Sequence, residues 1–126
     1  MSSVLSGNVL VEGYWAQSRH DTSRYPWPKS STVTENPEWF HMRSEFCEHL
    51  LQVQEQHTHN ALCYMGLSPC RLCTKPTVVG YREYVLYGVE YDGKIFDLHW
   101  PEGLHHYLTE HDVVPSKLFI SVINSL

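Results

Sequence analysis

The sequence predicts an α+β fold, and three observations carry that expectation. Apolar residues recur at helical spacing after Asn36-Pro37. Two β-prone runs flank Asp92-Gly93, and a second amphipathic pattern closes the chain at Leu118, Phe119, Val122, Ile123 and Leu126. At 126 residues with 42% hydrophobic side chains, the chain is read as one folded domain. It divides into a strand and arm over 1–35, a helix over 36–62, a module over 63–112 and a C-terminal helix over 113–126.

In chain order, Val4, Leu5, Val9, Leu10, Val11, Tyr14 and Trp15 suggest a short strand punctuated by Gly7 and Gly13. The following stretch, 16–31, is polar and holds Pro26 and Pro28, so a long loop is expected. Within it Arg19, His20 and Arg24 could clamp an anion while Tyr25 and Trp27 stack beside it. The alternative is a wrapping arm whose two rings plug the core and whose charges stay in water.

Asn36 suits a helix N-cap, Pro37 the first helical position and Glu38 the positive end of the dipole. Trp39, Met42, Phe46, Leu50 and Val53 then mark one buried face, with Cys47 beside it as a core residue. Past Pro76, Tyr81, Glu83, Val85 and Tyr87 alternate with Arg82, Tyr84 and Leu86. Asp92-Gly93 then predicts an antiparallel hairpin, because both residues tolerate the positive φ of a type I′ turn. Pro101 is expected to open a short helix that ends near His111-Asp112.

Nine Lys and Arg against fourteen Asp and Glu give a net charge of −5, the wrong sign for tracking a phosphate backbone. No run of eighteen apolar residues is present, so no membrane span is expected, and the first residues lack the pattern of a secretory signal. An intracellular setting, cytoplasmic or nuclear, is the expectation. In a reducing compartment a Cys-x-x-Cys pair reads as a metal knuckle or a redox pair before a disulfide.

That pair is Cys70-Arg71-Leu72-Cys73, bracketed by Pro69 and Pro76. A tight turn with two thiols supplies half of a tetrahedral site, and imidazoles on a following helix can supply the rest. His106 and His111, with four residues between them, fit the H-x3-5-H spacing; His105 is the fallback and His99 a further candidate. The expected ligand set is therefore Cys70, Cys73, His106 and His111 around a structural zinc ion. A closed set of four protein ligands leaves no position for activated water. The expected function is thus a non-enzymatic domain that binds a protein partner or a small anionic ligand. The alternatives are a zinc hydrolase with an open metal position and Glu102 or Glu110 as base, and a nucleic-acid-binding finger. The helix between Pro101 and His111 carries Glu102 and Glu110 and no Lys or Arg, which equips it poorly for a DNA groove.

In ligand type and order, 70–111 resembles the C2H2 zinc-finger class, although 32 residues separate Cys73 from His106 where the compact finger has about a dozen. The resemblance implies a ββα arrangement with the expected hairpin inserted between knuckle and helix. The fuller pattern, Cys70-x-x-Cys73 with Trp100-Pro101-Glu102-Gly103-Leu104, His106-Tyr107 and His111, is similar to a small group of uncharacterised proteins with a CxxC and WPEGLxHYxxxH signature. That resemblance implies a ligand set and no reaction.

Overall fold

A computed structural model describes residues 9–15, 25–57, 62–63, 70–73 and 82–126. Arg19, His20 and Arg24 lie outside them, as do Val4, Leu5 and Tyr81. The fold is α+β: strands β1 (Val9–Val11), β2 (Leu62–Cys63), β3 (Arg82–Tyr91) and β4 (Lys94–Pro101), with helices α1 (Pro37–Gln56), α2 (Leu104–Glu110) and α3 (Lys117–Asn124). The strands form one sheet in the order β1-β4-β3-β2.

β3 and β4 pair antiparallel about Asp92 (φ 53°) and Gly93 (φ 76°), the backbone that the Asp-Gly pair was expected to supply. The register shifts between Leu86 and Val89, where Gly88 adopts φ 63° and donates its N–H to Asp97 Oδ1 at 3.0 Å. β1 runs parallel to β4, with Val11 opposite His99, and the ladder continues as Glu12 N–H donates to the His99 carbonyl at 2.9 Å. The hairpin is therefore the centre of a larger mixed sheet. This corrects the expected ββα finger: the inserted hairpin has become the scaffold, and the helix that follows it packs in the main core.

Cross-strand partners Tyr84 and Trp100, and Leu86 and Leu98, put one set of buried side chains on one sheet face together with Phe96. The α1 residues Trp39, Phe46, Cys47, Leu50 and Val53 join the same core, with Leu104 and Leu108 from α2 and Phe119, Val122 and Ile123 from α3. Edge-on ring contacts run through it, Trp39 to Phe46 to Phe119 to Trp100, at centroid separations of 5.3, 6.2 and 5.5 Å. Gln54 is buried among them and accepts a hydrogen bond from Trp100 Nε1 at 3.0 Å, so neither polar group is stranded.

Three boundaries differ from expectation. α1 ends at Gln56, well before 62, and the Asn36 side chain donates to Ser31 Oγ at 2.6 Å instead of capping the helix. Pro101 is the last residue of β4, opposite Glu83, and α2 begins only at Leu104. A proline is tolerated at a strand end, where the hydrogen bond it cannot donate is not needed. Among the described residues before 16, only Val9–Val11 form a strand. No helix among the described residues is long and apolar enough to cross a membrane.

Candidate metal centre

The four residues expected as ligands come together. The ligand atoms of Cys70, Cys73, His106 and His111 all lie within 4.8 Å of one another, close enough to hold one metal ion. His111 Nε2 lies 3.3 Å from Cys70 Sγ and 3.4 Å from Cys73 Sγ. His106 Nε2 lies 3.3 Å from Cys73 Sγ, and the two Nε2 atoms are 3.2 Å apart.

Helical spacing alone would not aim both imidazoles at one point, because five residues on a regular helix turn the second ring well away from the first. The helix end solves this. α2 stops at Glu110, and His111 is the C-cap with φ −127° and ψ 13°, so its side chain leaves the helical path. Asp112 then takes φ 55°, and Val113 N–H donates to the Tyr107 carbonyl at 3.3 Å. The corner is pinned from outside. Ser30 Oγ donates to the His111 carbonyl at 2.5 Å, Ser31 N–H donates to the Asp112 carbonyl at 2.8 Å, and Arg43 of α1 reaches Asp112 Oδ1 at 2.6 Å. His105, the fallback ligand, is outside the cluster.

On the knuckle, Cys70 is buried, and Leu72 N–H points at its Sγ at 3.4 Å. Arg71 N–H donates to the Tyr107 hydroxyl at 2.7 Å. Tyr107 thus joins knuckle to helix whether or not the four ligand positions are bridged. Burial, first, pushes its hydroxyl up to about 12; the Arg71 N–H opposes this and the neighbouring Cys70 adds to it. Burial also lowers the His106 imidazole below its ordinary value, helped by His111 and opposed by Glu110. A neutral imidazole is the form that ligates.

His99 does not join the cluster. Its Nδ1 sits 3.2 Å from Glu83 Oε1, while the Tyr14 hydroxyl donates to Glu83 Oε2. This Tyr-Glu-His chain was missed by the sequence reading, since Tyr14 and Glu83 are 69 residues apart and no local spacing links them. Of the expected arm residues, Tyr25 packs on Tyr14 at 5.9 Å between centroids and Trp27 is half-buried; both lie apart from the four ligand atoms.

No protein-family model matches the chain, nor does any curated protein or solved structure.

Proposed function

We propose that Cys70, Cys73, His106 and His111 hold a structural zinc ion that clasps the knuckle to the end of α2, in a domain whose work is binding and not catalysis. The observation that carries the reading is the convergence of four donor atoms. Around a tetrahedral zinc with Zn–S near 2.3 Å and Zn–N near 2.0 Å, S···N edges are about 3.5 Å and N···N edges about 3.3 Å. The S···N separations of 3.3, 3.3 and 3.4 Å and the N···N separation of 3.2 Å fall close to those edges. Two thiolates with two imidazoles are a donor set suited to zinc, and a reducing compartment would keep the thiols free to ligate.

Zinc bound by these four residues supplies cross-linking and no open coordination position. The Leu72 N–H aimed at Cys70 would stabilise thiolate charge, and the Tyr107 hydroxyl fixes the turn that presents it. The N-terminal arm and the outer edge of β1 are the candidate surfaces for a protein partner, since Val9, Leu10 and Val11 are all exposed there.

Metal analysis of the purified full chain tests the reading. One zinc per chain, with loss of the cooperative thermal transition on chelation, is the expected outcome. A chain that holds no zinc contradicts the proposal. So does one whose fold survives chelation while a measurable hydrolysis disappears, which would favour the hydrolase.

A further inference from the structure

A cavity of about 660 Å³ lies beside β1, and its described lining includes none of the four proposed ligands. It is within the range of about 300–1,000 Å³ typical of small-ligand sites. Its described lining includes three aromatic rings, Tyr14, Trp15 and Tyr25, with Val9, Val11 and the Glu12 carboxylate; no described lining residue is a cation.

These walls are fixed from behind. Tyr14 is tied through its hydroxyl to Glu83, which His99 holds by the other oxygen. Trp15 packs on Tyr107 at 5.4 Å between centroids. Glu12 accepts from Ser116 N–H at 2.9 Å and from Ser116 Oγ at 2.7 Å. Gly13 has φ 82°, and a Cβ there would meet Leu104 Cδ1 at 2.8 Å, so the turn carrying all three side chains is seated against α2.

The polar atoms of two of the rings are spoken for or hidden. The Tyr14 O–H is spent on Glu83, and Trp15 Nε1 is buried without a partner, so these two rings offer the cavity π surface rather than donors. Glu12 receives two hydrogen bonds from Ser116 and forms no ion pair with any described residue. An anion would be repelled by this carboxylate, and a neutral apolar ligand would desolvate it with nothing in return. A cation whose charge is spread over methyl groups suits both features: it gains from aromatic faces and needs few hydrogen bonds.

We propose that this cavity takes a quaternary or methylated ammonium group, with Tyr14, Trp15 and Tyr25 as its aromatic walls and Glu12 as its counter-charge. The proposal deepens the reading of the domain as a binding module and stands apart from which metal fills the centre. Such a group is carried by small choline-like molecules and by methylated lysine side chains, and the open edge of β1 beside the cavity could receive the peptide of the latter.

The test is a titration of the full chain followed by the indole N–H resonance of Trp15, assigned with Trp15→Phe. Its arms are choline chloride, a short peptide bearing trimethyl-lysine with its unmodified counterpart, and 3,3-dimethylbutan-1-ol as the neutral isostere of choline. A saturable shift with choline or the trimethylated peptide, at least about fivefold tighter than with its uncharged or unmodified control, is expected. The tighter of the two arms identifies the source. Glu12→Gln, which keeps an oxygen for Ser116, is expected to weaken binding by about fivefold or more, as is Tyr25→Leu, with unchanged far-UV circular dichroism. No saturable shift in either arm, equal binding of the neutral isostere, or undiminished binding in both variants overturns the proposal. Zinc content measured on the same sample separates the two readings: binding without zinc supports the cage and sinks the clasp, and zinc without binding does the reverse.

Discussion

Trp100 is fully buried, and its indole N–H is matched by a buried Gln54 carbonyl, so this pair shows what a single side chain can carry. Trp100→Phe removes volume and strands the Gln54 oxygen, and together these should cost about 2–4 kcal/mol, measured by urea unfolding. Neither the burial of Gln54 nor its partner was legible beforehand, because a glutamine next to Val53 reads as the polar side of a helix until the strand opposite is known. Burial pushes the Cys47 thiol up to about 11 against the opposing Arg43 charge, so it should resist alkylation in the native protein at pH 7.5 and react once the chain is unfolded. Mass spectrometry after a timed iodoacetamide pulse checks this. Burial also raises the Glu12 carboxyl above its ordinary value, against the two Ser116 hydrogen bonds. A raised folded value means that the contribution of Glu12 to stability is fully present below the unfolded value and is lost as pH rises through the folded one. The stability of Glu12→Gln relative to the native chain should therefore move in the variant's favour as pH rises from 4 to 7, as followed by thermal melts across that range.

At the scale of elements, the turn after β1 sits hard against the start of α2. Gly13 takes a left-handed backbone and its missing Cβ leaves room for Leu104. Gly13→Ala should cost about 1–3 kcal/mol, more than Gly93→Ala, where φ is equally positive but no atom lies within 4 Å. Comparing the two midpoints in denaturant isolates the contact from the backbone strain. The turn at Asp92-Gly93 could be read from two residues because its chemistry is local. The end of β4 could not: Trp100-Pro101 reads equally well as strand end or helix start, and the pairing of Pro101 with Glu83 decides it. The parallel partner of β4 was also hidden. Val9–Val11 is a short exposed strand, and parallel pairing with a strand some ninety residues on leaves no turn signal in between.

For the whole molecule, the knuckle and the end of α2 meet in a small buried cluster of Cys70, Tyr107 and Val113 beside the main core, and the four proposed ligands would tie these two parts together. That Cys70, Cys73, His106 and His111 come together was legible because Cys-x-x-Cys is a chemically rare combination and the H-x3-5-H spacing narrowed the choice among nine histidines. What spacing could not supply was how His106 and His111 converge on one point, which lies in the break of helical geometry at the His111 C-cap. Cys73→Ser should abolish tight metal binding and lower stability by roughly 3 kcal/mol or more, whereas the same change at Cys47 should leave metal content intact. The central claim is met most directly by X-ray absorption at the zinc edge on the full chain. Two sulfur scatterers near 2.3 Å and two imidazole nitrogens near 2.0 Å are the expected result. A shell containing a water oxygen in place of one protein ligand, or a chain that retains no zinc, would contradict it.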